Sequence, residues 1–301
     1  MSKKAKSDTT TTSHAGAACL EIADVCKVIL GCCSLEAAVR LSSVVLSNVG
    51  TRAVAEDVDV WANLVSASFG YRRHFPAASP CPIGSVPVPT PGFAPSSACI
   101  EFCETAVEWG ILQRARIIQG NIETITDVNG QPVDCLVFPT NASLQNAGTG
   151  AAAAVFRRAG PALDAHVARL HMNARESTAV VTPAFAAGVE HLVHCVGPSH
   201  HRFDCNPLLY HTYLNAFEHC RRLGVTCIAV ASISTGTLGF PLQTATTLAL
   251  RAYRDFVKTH RWRATIAFVC YDAQVAAGLE GAKNELLDRF NAHAFQVMAV
   301  V

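Results

Sequence analysis

Residues Ile228–Pro241 read IAVASISTGTLGFP: an apolar run breaks into Ser-Thr-Gly-Thr and closes on Phe240 and Pro241. The run is short and nearly unbroken, as in a strand covered on both faces. The residues after it bury almost nothing, so their backbone is the surface that matters. Glycine at such a place lets the chain turn with φ > 0 and lets a ligand approach without meeting a Cβ. The same order recurs at Phe138–Arg158, FPTNASLQNAGTGAAAAVFRR: strand end, Asn141, polar loop, Gly148-Thr149-Gly150, helix start. Each loop offers backbone N–H groups and the positive end of a helix dipole, which suits phosphate oxygens. One such loop is more often an ordinary strand-to-helix turn; two, after separate strands of one sheet, predict an anion cradle. Neither carries Gly-Lys-Ser/Thr or Gly-x-Gly-x-x-Gly, which disfavours the common nucleotide folds.

Outward from these loops, short apolar runs alternate with amphipathic ones. RARIIQGNI, VDCLVFPT, STAVVTPAF, HLVHCVGP, VTCIAVASI and RATIAFVCYD read as strands, with DVNG a turn between the first two. GAAAAVFRRAGPALDAHVARLH reads as helix interrupted near Gly160-Pro161, and PLLYHTYLNAFEHCRRLG as helix closed by Gly224. PLQTATTLALRAYRDFVKTH is a further helix. The expected fold is α/β: a three-layer α/β/α arrangement around a mixed, mainly parallel sheet, over residues 98–301. In such sheets ligands sit outside the carboxyl ends of the strands. Before it, residues 17–74 read as a small helical domain. Leu20, Val25, Val28, Ile29 and Leu30 fall at helical spacing, Ser34 is a candidate N-cap, and Val58, Trp61, Leu64 and Val65 form another helical face. Seven of the fourteen prolines fall between Phe75 and Ser97, which predicts an extended linker. Residues 1–16 are polar and Thr-rich and predict a disordered tail.

The 301 residues are 50% hydrophobic and 16% charged, with a formal charge of +1. No overall field attracts nucleic acid or an anionic membrane surface. No apolar run has the length of a membrane span, and the start lacks the apolar core of a secretory signal. Thirteen cysteines without Cys-x-x-Cys predict reduced, mostly buried thiols in a cytoplasmic or nuclear protein. His191, His194, Cys195, His200, His201 and Cys205 crowd one stretch. His194 and Cys195 point to opposite sides of a strand, so no metal site is expected there, and no cofactor elsewhere. Arg157 and Arg158 follow the first loop; such a pair can assist an anion, but most lie on a solvated helix face, which is the expectation here.

From about Arg116 to Asp272 the chain resembles a macrodomain, the ADP-ribose-binding module of the Appr-1''-p-processing type. IIQGNI, VDCLVFPTNASL, GTGAAAAVFRRAGP, STAVVTPAF, HLVHCVGP and ISTGTLGFP occur in the family's order. The resemblance implies that Asn141 hydrogen-bonds the distal ribose and that Gly148, Thr149 and Gly150 lie along ribose and diphosphate. It implies that the amides of Ser234, Thr235, Gly236, Thr237, Leu238, Gly239 and Phe240 wrap the diphosphate. Asn121, with Ile122 beside it, and Tyr271 are the positions implied at the adenine.

Departures from the family pattern bear on activity. Asn121 stands where the family usually has Asp, which removes charge assistance of about 1 kcal/mol from a hydrogen bond. The acidic residue of hydrolytic members is missing, with Ala151–Ala154 in its place. The first loop's glycine run is reduced to NAGTG, and Leu238 replaces the aromatic over the distal ribose. No loop side chain is a general base. The expectation is a binder of ADP-ribose or of mono-ADP-ribosylated protein. The alternatives are a hydrolase removing ADP-ribose from protein or small esters, with Asn141 its catalytic residue, or a scaffold without ligand. The N-terminal region is similar to an F-box, with Leu20, Ile29, Leu30, Leu41 and Trp61 at the matching positions. It lacks the usual Pro after the first Leu, and SNVGTR interrupts its middle. That likeness implies a Skp-type adaptor of a cullin ubiquitin ligase as partner.

Overall fold

A computed structural model describes residues 25–31, 33–70, 95–146 and 148–291. The expected tail, Leu20 and all but the last three residues of the Pro-rich stretch lie outside the described residues. The chain divides into two compact units, one up to Val107 and one from Glu108.

The first unit is helical. Residues 25–31 are helical, followed by α1 (Leu35–Ser47), α2 (Arg52–Glu56) and α3 (Val58–Phe69). Helix α4 (Ser97–Arg114) gives its first turns to this unit. Ser34 caps α1 by accepting from the Ala37 N–H, and Asp57 caps α3 by accepting from Asp59 and Val60. Trp61 is the centre of the core: it packs on Phe102 at 5.3 Å, and its indole N–H donates to the Val54 carbonyl at 2.7 Å. Of the apolar residues expected to face inward here, Leu30, Trp61, Leu64 and Val65 are buried, while Val25, Val28, Ile29 and Val58 are exposed. Helical spacing marks these residues as one face but does not by itself bury them.

The second unit is built on a six-stranded sheet in the order β1-β8-β7-β4-β6-β5. Its strands are β1 (Arg116–Gln119), β4 (Cys135–Thr140), β5 (Ala179–Pro183), β6 (His191–Val196), β7 (Cys227–Ala231) and β8 (Thr265–Cys270). All neighbours are parallel except β5 on β6. The expected turn at DVNG is a two-residue hairpin between β2 (Asp127–Val128) and β3 (Gln131–Pro132). Asn129 and Gly130 both take positive φ, 54° and 79°, as a type I′ turn demands.

Two helix layers cover the sheet. On one face, α5 (Gly150–Ala159) and α6 (Pro161–Leu170) pack against Leu136, Phe138, Leu192, Ala229 and Val269. Gly160, at φ 77°, and Pro161 break the two apart where the sequence predicts it. On the other face lie α7 (Cys205–Arg222), α8 (Leu242–His260) and α9 (Ala273–Asp288). Phe217 meets Tyr253 at 5.7 Å, and Tyr253 meets Phe268 of β8 at 6.2 Å. Gly224 follows the end of α7 at φ 73°, and the Val225 N–H returns to the Cys220 carbonyl. Ten of the thirteen cysteines lie among the described residues, all as free thiols and eight of them buried. No helix of the described residues is long and apolar enough to cross a membrane.

His194 shows how tightly the first of these layers is closed. Its ring sits 4.6 Å from that of Phe138, and Nε2 is 3.0 Å from Thr182 Oγ1. Burial, aided by the charge of His166, holds its pKa down to about 4. The unfolded chain takes up this proton near pH 6.5. The stability held by the neutral ring is therefore complete above 6.5 and is lost as pH falls toward 4. Going from pH 7 to pH 5 removes about 2 kcal/mol of unfolding free energy through this residue. Urea titrations at both pH values should show that drop, and His194→Gln should lack this part of it.

Candidate functional site

The sheet's neighbouring central strands β4 and β7 run parallel, yet β4 leads to α5 on one face and β7 leads to α8 on the other. Their connecting loops must therefore part and leave a crevice at the carboxyl edge. The two glycine loops, 141–150 and 232–241, form its sides.

In the first loop, Asn141 Oδ1 accepts from the Ser143 hydroxyl at 2.9 Å and from the Gln145 N–H at 3.0 Å. Because an amide N–H faces it, that atom is the oxygen, and the Asn141 NH2 points away as a donor. Leu144 is buried below at φ 59°, and the Gly148 N–H donates to Asn146 Oδ1. Gly148 and Gly150 take φ 73° and 63°. Thr149 is extended at the N-cap of α5, and its hydroxyl does not cap the helix. No carbonyl among the described residues accepts from the N–H groups of Gly150, Ala151 or Ala152.

The second loop is held from below. Tyr213 Oη accepts from the Ile233 N–H at 2.9 Å. Ser234 takes φ 64°, a left-handed conformation that a residue with a Cβ adopts at a cost of about 1–2 kcal/mol. Its hydroxyl donates to the Pro198 carbonyl at 2.9 Å, and its own carbonyl accepts from the Phe240 N–H, which offsets that cost. Gly239 N–H closes a turn onto the Gly236 carbonyl at 2.9 Å. Among the described residues, nothing accepts from the N–H groups of Thr235, Gly236, Thr237 or Leu238. Seven amides of the two loops thus have no protein partner among the described residues, and neither loop holds a carboxylate or histidine. Such an arrangement of donors suits an anion, and neither loop offers a side chain that could act as a base.

At the far end of the edge, β1 and β8 pair up to Gln119 and Cys270, so Asn121 and Tyr271 emerge side by side. Tyr271 is 86% exposed and Ile122 is buried beneath. The sequence does not announce that Asn121 is already engaged. Its Oδ1 accepts from the Glu123 N–H at 2.9 Å, and its NH2 reaches the Glu123 carboxylate at 3.4 Å. Only one lone pair of Oδ1 remains for a ligand. Glu123 in turn pairs with Arg157 at 2.7 Å, and the Arg157 guanidinium holds that carboxyl below its ordinary pKa. Arg158 donates to the carbonyls of Ile122, Ile125 and Ala187. The solvated helix face expected for this pair is corrected for Arg158, which ties the turn after β1 to α5 because that turn's carbonyls face the last turn of the helix. Arg157 is exposed, as expected, and reaches Glu123 from the helix surface. Among the described residues no group of three His, Cys, Asp or Glu is placed to hold a metal.

Gly197 is the site residue that motif reading underrates. A Cβ on it would overlap Ser234 Oγ and lie 2.6 Å from Ile233 Cγ2. Only a glycine lets the second loop seat against β6. Its one sequence signal is a glycine that ends a strand and precedes Pro198. Gly197→Ala should lower the unfolding free energy by about 1–3 kcal/mol through overpacking. At Gly236 a Cβ would meet nothing within 4 Å and φ is not positive, so Gly236→Ala should change it by less than about 0.5 kcal/mol. Urea denaturation of both variants checks the contrast.

The Macro domain family matches residues 137–249, which include both loops. The O-acetyl-ADP-ribose deacetylase of Escherichia fergusonii is 32% identical over 166 residues, covering 54% of this chain and 90% of that protein. The protein of the same name from Salmonella typhimurium is 33% identical over 171 residues, again 54% of this chain and 90% of that one. Among solved structures, the Oceanobacillus iheyensis macrodomain with ADP has a similar fold, with a TM-score of 0.53 at 23% identity, over 57% of this chain and 91% of that one. The Trypanosoma brucei macrodomain in complex with ADP-ribose gives 0.50 at 24% identity, over 57% and 69%. With relatives of this identity matched over nine-tenths of their length, the chain belongs, through its second unit, to the Macro domain family.

Proposed function

We infer that the second unit binds ADP-ribose, free or attached to a protein. The observation that carries this reading is the crevice between β4 and β7, lined from both sides by amides without protein partners. A diphosphate lying there accepts from Thr235, Gly236, Thr237 and Leu238 on one side and from the start of α5 on the other. Gly148, Gly150 and Gly239 keep the backbone in conformations that a side chain would strain. The NH2 of Asn141 meets the distal ribose. Tyr271 stacks on the adenine, over Ile122, with the remaining lone pair of Asn121 toward the ring's amino group. Ser234 and Phe240 also hold the loop: the Ser234 hydroxyl donates to Pro198, and the Phe240 N–H to the Ser234 carbonyl.

Calorimetric titration of ADP-ribose, with ADP and AMP as comparators, should show micromolar binding, about −8 kcal/mol, selective for ADP-ribose. Gly236→Val projects only into the crevice and should weaken binding at least tenfold without altering the unfolding curve. A folded wild-type chain that takes up no ADP-ribose overturns the reading and leaves a scaffold in its place.

Hydrolysis is the second reading, favoured by the deacetylase name of the relatives. Water attack on an ester at the distal ribose needs a base, and Ala151–Ala154 supply none. The ligand's own diphosphate would then hold the water while Asn141 orients the ribose. Incubation with O-acetyl-ADP-ribose and with ADP-ribosylated protein decides the matter. Product formation that disappears in Asn141→Ala makes the chain an enzyme, and tight binding without product makes it a reader.

The first unit enters this reading as an adaptor arm of F-box type, supported by its separate helical core around Leu30 and Trp61. The full chain should then retain a purified Skp-type adaptor in a pull-down, and no retention removes the ubiquitin-ligase role.

A further inference from the structure

Beyond the crevice, the connection from β6 to α7 carries Phe203, whose side chain is 92% exposed. A single exposed apolar side chain is ordinary by itself; what distinguishes Phe203 is where its loop is held. Six contacts hold the loop. The His200 N–H donates to the Leu238 carbonyl at 3.0 Å, and the Pro198 carbonyl accepts from Ser234, so the loop abuts the second glycine loop twice. The Arg202 guanidinium bonds Asp204 at 2.9 Å and pairs with Glu176 at 3.1 Å. Glu176 also accepts from the Ser199 N–H. The His200 ring rests 5.2 Å from that of Phe240. Phe203 is the side chain this frame leaves free, and it points away from the protein.

Its place along the sheet edge identifies what it meets. Strands lie about 4.8 Å apart, so β6 stands about 14 Å from β8, on the opposite side of the crevice from Tyr271. A ligand whose adenine lies at Tyr271 and whose diphosphate lies between β7 and β4 ends its distal ribose toward β6. A small acyl group on that ribose stays within the crevice. A polypeptide attached there has residues 199–204 beside it, since that loop abuts the second glycine loop at Leu238 and Ser234.

We propose that the β6–α7 loop, with Phe203 as its anchor and His201 beside it, is a contact surface for the polypeptide that carries the ADP-ribose. The proposal rests on the ligand assignment made above. Aromatic anchors on a rigid frame bind with little loss of conformational freedom, so one side chain can hold a large share of such a contact.

The test compares free ADP-ribose with a mono-ADP-ribosylated peptide on the full chain, wild type and Phe203→Ala. The wild type should bind the modified peptide at least tenfold more tightly than free ADP-ribose. Phe203→Ala should remove most of that difference and leave the affinity for free ADP-ribose within twofold. Equal affinities for the two ligands in the wild type, or a variant that weakens both alike or neither, overturns the contact surface while the ligand assignment stands. A wild-type chain that binds neither ligand overturns the assignment and the surface together.

Discussion

Everything at the site depends on one topological constraint. Strands β4 and β7 are hydrogen-bonded neighbours from Cys135↔Ile228 to Val137↔Val230, and their chains leave toward opposite faces of the sheet. No arrangement of side chains can fill the gap that opens between two backbones moving apart. The amides exposed there cannot pair with each other across it either, since each loop presents donors. The crevice is therefore electropositive by construction, without a lysine or arginine in either loop.

Two devices keep that gap fixed, one at each end of the strands. At the amino end, Asp134 accepts from the Thr226 N–H and hydroxyl and from the Cys227 N–H, while its carbonyl accepts from Glu190 and His191. One residue thus ties the starts of β4, β6 and β7 into register. At the carboxyl end, Gly197 provides the missing Cβ that lets Ser234 and Ile233 approach β6, and Tyr213 receives the Ile233 amide from α7. The separation of the loops follows from strands clamped below and a loop seated above.

What could be read from the sequence was local. The strands β4, β6, β7 and β8, the break at Gly160-Pro161, the stop at Gly224 and the cap at Ser34 each have their signal within a few residues. So do the glycine loops, because a strand end followed by Gly and hydroxyl residues states its backbone need in place. The order of the strands and the antiparallel β5 do not, since pairing partners lie far apart in the chain. The same holds for Arg158, whose carbonyl partners come from the β1 turn and from the 3-10 turn at Phe185–Ala187. Asn121 reads as a free acceptor in the sequence, and only the fold of its own turn brings Glu123 back onto it. Val25, Val28 and Ile29 have helical spacing, which reports the helix and not whether a neighbour covers it.

The strain in the second loop is held by contacts within the protein. Ser234 already holds φ 64°, paired to Pro198 and Phe240 through bonds that no ligand supplies. A loop that needed the ligand to bend it would draw that energy from binding. Here packing on Gly197 and the bond to Tyr213 hold the bend through the protein itself, which fixes the directions of amides 235–238. An amide cradle of this kind favours the bound oxygens whether or not chemistry follows, and it moves no proton. The alanines at the start of α5 offer no side chain that could carry a proton, so any proton transfer at this site would have to draw on a group outside the two loops or on the ligand itself.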